Sequence, residues 1–264
     1  MQSSNRSASG QSPDRTIELK TSREIDILRA AGRLAASVLN KVLGEIHPGV
    51  STMRLDIIAE KEIRSLGAAP AFLGYHGFPA TLCVSINNEL VHGVPRPDRI
   101  IREGDIVTVD LGVIHKGFYG DTAATVGAGN ISAEAQRLLR VTKDSLDKAI
   151  ASIAPGSRLG DMGWAVQKTA EAAGFSVVRD YVGHGIGRKL HEDPAVPNFG
   201  RPSTGVRLVP GMVIAIEPMI NAGSFKVKTL SDGWTVVTED GKLCAHFEHM
   251  VAVTETGCEV LTVI

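Results

Sequence analysis

The sequence predicts an α+β fold in which two pseudo-symmetric halves, about residues 20–130 and 131–264, surround a shared β core. The first observation behind this prediction is an internal repeat at an offset of 107 residues. The second is that each half contains two helical patterns followed by strands. A period this long excludes a solenoid of short repeats. Four pairs of landmarks carry the repeat: Pro48-Gly49 with Pro155-Gly156, Gly67 with Gly174, Gly104 with Gly211, and Asp110 with Glu217.

The first half begins with a predicted helix. Its start signal is Thr21-Ser22 followed by Glu24, residue types that cap helix N-termini. Apolar side chains then recur at helical spacing, at Ile25, Leu28, Leu34, Val38, Val42 and Leu43. A second helix is predicted over Thr52 to Leu66, where Gly67 ends it. Strands follow, and the clearest of them is the apolar run "GDIVTVD", which ends at Asp110.

The second half repeats this order. Ser132 is a candidate N-cap for a helix that ends before Pro155-Gly156. The next helix is predicted over Leu159 to Ala173 and ends at Gly174. The apolar run "GMVIAIE" then matches the strand of the first half and ends at Glu217. The repeat therefore predicts that Asp110 and Glu217 face one site near the pseudo-twofold axis.

Composition indicates a single globular domain over residues 15–264, preceded by a disordered polar tail over residues 1–14. The 264 residues are 43% hydrophobic, which is enough for one large core. A net charge of -1 gives no reason to expect nucleic-acid or membrane binding. Three cysteines without close pairing favour a reducing compartment. We therefore expect a cytoplasmic protein without a membrane helix.

Four carboxylates and one histidine are the candidate metal ligands. Each lies where a strand or a glycine-bounded turn would point a ligand into a shared cavity: Asp110, Asp121, His184, Glu217 and Glu248. Buried acids are costly unless a cation meets them, and these segments contain few basic residues. Taken singly, such an acid is more often the end of an edge strand than a metal ligand, but five residues in this order favour a metal site. Four negative charges match two divalent cations, so we expect a two-metal centre.

The chemistry of the ligands limits the metal and the reaction. Oxygen-rich coordination with one imidazole suits Mn²⁺, Fe²⁺ or Co²⁺ better than a structural zinc site. The glycines of "GHGIG" around His184 lack the spacing of a dinucleotide fingerprint, and neither a nucleophile elbow nor a Walker A motif occurs. His92 and His191 lie on turns near prolines. They are either exposed loop residues or donors to a developing oxyanion and a leaving amine.

Five segments together resemble methionine aminopeptidases of type I, from about Thr21 to the C-terminus. They are "AFLGYHGFPATLCVSINNELVHGVP", "GDIVTVDLGVIHKGFYGDTAAT", "YVGHGIGRKLHEDPAVPNFG", "GMVIAIEPM" and "FEHMVAVTETGCEVLT". The resemblance implies a pita-bread fold with an antiparallel β core and the bacterial type of organisation. It also implies two divalent ions, drawn from Co, Mn, Fe, Ni or Zn, with Fe or Mn favoured. Asp110 would then hold one ion, His184 and Glu217 the other, and Asp121 and Glu248 both.

The same resemblance implies roles for the remaining site residues. Glu217, His92 and His191 would be catalytic: the glutamate as proton carrier, His191 at the oxyanion and His92 at the scissile amide. The substrate methionine would contact His92, His191, Tyr75, Phe78, Cys83 and Trp234. Phe72 and Leu190 depart from the bacterial pattern of a small residue and an aromatic one. The two changes either compensate in volume or reshape the pocket.

The expected activity is removal of the N-terminal methionine from nascent polypeptides when the second residue is small. We expect a monomer that makes at most transient contact with the ribosome. One alternative is a Xaa-Pro aminopeptidase or prolidase of the same fold, although those enzymes usually carry a large extra N-terminal domain. The other is a non-catalytic pita-bread protein that binds peptides, although such proteins typically lose several of the ligands.

Overall fold

A computed structural model describes residues 17–263 of the chain. The tail predicted over residues 1–14 lies outside these residues. Within residues 17–263, no helix has the length and the apolar character that crossing a membrane requires.

Four helices form where the sequence predicts them, and two of them begin at the N-caps that the sequence indicates. Thr21 and Glu24 make a reciprocal capping box, and the Ser132 hydroxyl accepts a hydrogen bond from the Ala135 amide at 3.1 Å. The second and fourth helices each end one residue before the predicted end. The helices are α1 (Ser22–Leu43), α2 (Thr52–Ser65), α3 (Ala133–Ala151) and α4 (Leu159–Ala172).

Fifteen strands within the described residues pair antiparallel in four small sheets. The strands of the first half are β1 (Ala69–Pro70), β2 (Leu82–Ile86), β3 (Glu89–Val91), β4 (Ile106–His115) and β5 (Phe118–Gly127). Those of the second half are β6 (Ser176–Val177), β7 (Gly183–Gly185), β8 (Glu192–Val196), β9 (Val213–Ile216), β10 (Met219–Asn221), β11 (Val227–Thr229), β12 (Val236–Thr238), β13 (Cys244–His246), β14 (His249–Val253) and β15 (Cys258–Val260). In the first half, β4 lies between β2 and β5; in the second, the order is β15-β14-β9-β7-β8.

Backbone conformation repeats between the two halves as the sequence repeat predicts. Each glycine of the three paired landmarks has a positive φ, a backbone conformation that residues other than glycine rarely adopt. The φ angles are 97° and 89° for Gly49 and Gly156, 71° and 77° for Gly67 and Gly174, and 87° and 92° for Gly104 and Gly211. The repeat therefore extends from the sequence to the turns that connect the helices and strands.

Helix α1 packs directly on the β4–β5 hairpin. A Cβ added at Gly120 on β5 would lie 2.5 Å from the Ala31 carbonyl oxygen, so only glycine allows the helix to approach this closely. The inward side chains of β4, among them Val107 and Val109, share one buried cluster with Ala31 and Val38 of the helix. This packing holds the hairpin that carries Asp110 and Asp121.

The two halves are joined by hydrogen bonds between β5 and the segment that links β13 to β14. The Glu248 amide donates to the Ala123 carbonyl at 2.9 Å. The Thr122 hydroxyl donates to the Glu248 carbonyl at 3.0 Å, and the Thr125 hydroxyl donates to the His246 carbonyl at 2.8 Å. The seam between the halves therefore brings Glu248 next to the acids of the hairpin.

Candidate metal and substrate site

One cavity of about 300 Å³ contains every residue that the sequence predicts for the site. The predicted metal ligands along it are Asp110, Asp121, His184, Glu217 and Glu248. The predicted substrate contacts along it are Tyr75, Phe78, Cys83, His92, His191 and Trp234. Asp110 and Glu217, the pair that the repeat relates, thus face the same space from opposite halves.

The β4–β5 hairpin positions two of the acids. Asp110 pairs with Ala123, and Asp121 pairs with Gly112, so the two aspartates are diagonal neighbours. Because side chains of a strand alternate between its faces, this register places both carboxylates on one face. The Ala123–Glu248 bridge adds the third acid to the same face.

The second half supplies the remaining predicted ligands, from β7 and from the end of β9. His184 on β7 pairs with Ala215 on β9, and Glu217 follows the end of β9. The His184 Nε2 atom lies 3.8 Å from Asp121 Oδ2 and 3.5 Å from Glu217 Oε1. One ligand atom each from Asp121, His184 and Glu248 lies within 4.8 Å of the others. The five side chains therefore converge although they come from both halves.

The electrostatics of the four carboxylates are those of a site built for cations. Burial raises the pKa of Asp110 to about 7. The pKa values of Asp121, Glu217 and Glu248 are raised well above their usual values. Burial is the largest cause, and the charges of neighbouring acids add to it. Within residues 17–263 no lysine or arginine forms an ion pair with these groups.

Three buried oxygen atoms without hydrogen-bond partners in residues 17–263 indicate that the site fits a metal ion. Asp110 Oδ1, Asp121 Oδ1 and Glu248 Oε1 are buried without a hydrogen-bond partner among the described residues. Such atoms are costly unless a cation or water meets them. Oxygen donors with one imidazole are the ligands of divalent transition metals, so the residues present fit this group.

The histidine of the site is held in the form that binds metals. The His184 Nδ1 atom lies 2.9 Å from the Gly185 carbonyl oxygen, which can only accept, so Nδ1 carries the proton. Burial lowers the pKa of His184 to about 4, so the ring is neutral near pH 7. The lone pair of Nε2 therefore faces the carboxylates.

Two further histidines flank the ligands. The His191 ring lies 4.3 Å, centroid to centroid, from the His184 ring, and its Nδ1 lies 2.8 Å from the Tyr75 hydroxyl. Burial lowers the pKa of His191, and it lowers the pKa of His92 to about 4. His92 has a φ of 59°, an uncommon conformation for a residue other than glycine. Both rings are neutral groups that line the cavity.

Much of the remaining lining of the cavity is apolar or aromatic. Phe78 and Trp234 meet edge to face with their centroids 5.1 Å apart. Cys83 is buried and pairs across the sheet with Asp110. Burial raises the pKa of the Cys83 thiol well above its usual value, so the sulfur stays protonated. The cavity therefore offers an apolar surface next to the acids.

Phe72 and Leu190, the two departures from the bacterial pattern, both line the cavity. A Cβ added at Gly112 would lie 2.7 Å from Cε1 of Phe72. The aromatic ring therefore occupies space that any side chain at position 112 would need.

Sequence reasoning missed several residues of the site. His76 and Tyr181 line the cavity, and Asn198 donates a hydrogen bond to the Glu217 carbonyl at 2.9 Å. His246 Nε2 lies 3.8 Å from Glu217 Oε2, and neither of its ring nitrogens has a hydrogen-bond partner among the described residues. The alternation in "CAHFEHM" could have identified His246, because it places residues 246 and 248 on one face of a strand.

Comparison with known proteins gives consistent matches over most of the chain. Residues 26–255 match the model of metallopeptidase family M24. A methionine aminopeptidase of Clostridium perfringens is 53% identical over 248 residues, covering 94% of this chain and 99% of the relative. The crystal structure of methionine aminopeptidase from Rickettsia prowazekii has a TM-score of 0.92 at 43% identity, covering 94% of this chain and 100% of that chain. A prolidase from Pyrococcus furiosus has a TM-score of 0.75 at 23% identity, over 93% of this chain and 65% of that chain, which shows likeness of fold alone.

Proposed function

The chain belongs to metallopeptidase family M24 and, within it, to the methionine aminopeptidases of type I, and we propose that it removes N-terminal methionine from nascent polypeptides whose second residue is small. One observation carries this proposal. Four buried or half-buried carboxylates and a neutral histidine converge in a cavity that is also lined by apolar and aromatic side chains. The carboxylates and the histidine suit a hydrolytic metal centre, and the apolar lining suits a thioether side chain.

We infer that the site holds two divalent ions. Asp121 and Glu248 would contact both, Asp110 would hold one, and His184 and Glu217 would hold the other. Four carboxylates balance two divalent charges, and iron or manganese fits the oxygen-rich donor set. When bound, such ions polarise the substrate carbonyl and make water a nucleophile at neutral pH.

Glu217 is the proposed proton carrier. In the metal-free protein, burial and the neighbouring acids raise the pKa of Glu217 well above its usual value. It would take a proton from the attacking water and deliver it to the leaving amine. The hydrogen bond from Asn198 to the Glu217 carbonyl holds the backbone of this residue.

His191 and His92 are the proposed donors to the substrate. If the Tyr75 hydroxyl donates to Nδ1 of His191, the ring proton lies on Nε2, where it can stabilise a developing oxyanion. His92 would donate to the scissile amide nitrogen. Because burial lowers the pKa of both rings, each remains a neutral donor at pH 7.

The apolar part of the lining would accept the unbranched side chain of methionine. The apolar and aromatic residues that line the cavity near the acids include Phe72, Tyr75, Phe78, Cys83, Leu190 and Trp234. A protonated thiol at Cys83 adds no charge to the wall, so an apolar substrate is not penalised there.

Peptide hydrolysis after metal removal tests this proposal. Protein treated with a chelator should release no methionine from Met-Ala-Ser, and Mn²⁺, Fe²⁺ or Co²⁺ should restore release. Met-Leu-Ser should be cleaved much more slowly. Cleavage of a Xaa-Pro peptide in place of Met-Ala-Ser would favour a prolidase-like activity, and metal-independent peptide binding without hydrolysis would favour a binding protein.

A matched pair of variants and a metal titration test the residue roles. Glu217→Gln should lower kcat on the order of 10²–10⁴-fold. Glu239→Gln, at an exposed position outside the cavity, should leave kcat unchanged. Calorimetric titration of metal-free protein should give two ions per chain, and a stoichiometry of one would contradict the two-metal centre.

A further inference from the structure

Lys20 is a buried lysine that precedes helix α1 and lies outside the cavity. Its side chain is 1% exposed, and its Nζ lies 2.7 Å from Oε2 of Glu192, whose side chain is 10% exposed. Its other ion-pair partner, Glu18, lies 3.4 Å away and is 54% exposed. A charge that is taken out of water needs a partner with good geometry, and Glu192 is the partner that is buried with it.

Glu192 directly follows His191 and closes the loop that carries this histidine. Its second oxygen, Oε1, accepts a hydrogen bond from the Lys189 amide at 3.1 Å. Within the loop, the Gly187 amide donates to the Lys189 carbonyl at 3.1 Å. The loop between His184 and His191 therefore folds back onto the Glu192 carboxylate.

The backbone of this loop packs against the ion pair. A Cβ added at Gly187 would lie 2.4 Å from Cε of Lys20 and 2.7 Å from Oε1 of Glu192. The lysine itself is fixed to the sheet, because its amide donates to the Gly211 carbonyl at 2.7 Å and the Gly211 amide donates to Val253 on β14 at 3.1 Å. The pair thus links the His191 loop to the β core.

We propose that Lys20 is a positioning residue for the peptidase reaction: through Glu192 it fixes the backbone that presents His191 to the substrate. The inference rests on the proposed function, in which His191 stabilises the oxyanion. Tyr75 holds the imidazole ring, and Lys20 with Glu192 holds the main chain beneath it. Both restraints matter, since a displacement of about 1 Å in such a donor can cost on the order of 10²-fold in rate.

The test is to measure steady-state kinetics on Met-Ala-Ser for Lys20→Met and for a control variant, Glu18→Gln. The control removes the exposed partner of the same lysine. Lys20→Met should lower kcat roughly 10- to 100-fold while KM changes little, because an oxyanion donor acts mainly in the transition state. Glu18→Gln should match the wild type. Metal content and thermal unfolding are measured for each variant, so that rates are compared between folded, equally loaded proteins.

A mutant cycle with His191 separates positioning from general stability. In a His191→Ala background, Lys20→Met should cause no further loss of kcat, because no imidazole remains to be positioned. An equal loss in both backgrounds would overturn the proposal. Lys20→Arg should recover part of the activity, since it keeps the charge beside Glu192.

Glu192→Gln provides a second variant if Lys20→Met does not fold, because it removes the ion pair while keeping an oxygen for the Lys189 amide. It should show the same dependence on His191. Absence of methionine release by the wild type would contradict the proposed function. An active wild type with unchanged kcat in both Lys20→Met and Glu192→Gln would refute only the role of the ion pair.

Discussion

Asp110 offers a quantitative test of the charge in the site, because its replacement by asparagine removes one buried acid without changing its shape. Burial raises the pKa of this group from 3.8 to about 7 in the folded, metal-free protein. Between pH 5 and 7 the folded state keeps a proton that the unfolded state has lost, so stability falls as pH rises. At about 1.4 kcal/mol per pH unit, and with the group half ionised at pH 7, the loss from Asp110 alone over this window is roughly 2 kcal/mol. This is an upper estimate, since part of the side chain is open to the cavity.

Urea unfolding of the wild type and Asp110→Asn, both metal-free, measures this effect. The histidines titrate in both proteins. Asp121, Glu217 and Glu248 lose the repulsion from Asp110 in the variant, so their pKa values are lower there and change the difference in the same direction. The stability of Asp110→Asn relative to the wild type should therefore increase from pH 5 to pH 7, by about 2 kcal/mol from Asp110 itself and further from the three neighbouring acids. A difference that is constant with pH, or that decreases, would refute the assignment of a raised pKa to Asp110.

At pH 7, saturating Mn²⁺ should make the wild type more stable than Asp110→Asn. Metal ligands bind in the deprotonated form, and binding to the folded state adds to its stability. The wild type should gain more stability than Asp110→Asn, which lacks one anionic ligand. An equal gain in both proteins would show that Asp110 does not contact the metal.

Three other predictions concern the packing around the site. Tyr75→Phe removes the hydroxyl beside His191 Nδ1 and should lower kcat roughly 10-fold with unchanged metal content. Gly112→Ala should push the Phe72 ring into the cavity and raise KM for Met-Ala-Ser, as steady-state kinetics would show. Gly120→Ala should separate α1 from β5 and lower the free energy of unfolding by about 1–3 kcal/mol, measured in urea; an unchanged midpoint would contradict this contact.

Local signals explain why the sequence predicts the helices closely and why the predicted ligands line one cavity. The Thr21 capping box and the Ser132 cap are encoded within a few residues, and the structure places both helix starts there. Asp110 and Glu217 end apolar runs, and that pattern predicts strands there. Asp110 lies within β4 and Glu217 directly follows β9, and both line the cavity. The family and the pita-bread fold predicted from the motifs are confirmed.

Contacts between distant segments could not be predicted in this way. A lysine near the start of a helix is normally solvated, and nothing local indicates that Lys20 pairs with Glu192. The fit of the Phe72 ring over Gly112 likewise depends on packing between β4 and the segment after β1. The metal number, the domain limits, the monomeric state, the ribosome contact and the cytoplasmic location stay predictions.

The predicted metal ligands come from both halves of the protein, and this affects how the protein unfolds. Asp110 and Asp121 belong to one half, and His184, Glu217 and Glu248 belong to the other. Ions shared between them would act as a cross-link, so metal loading should merge the melting of the halves into a single transition. A protease cut between β5 and α3 would then release two fragments only after the ions had been stripped away.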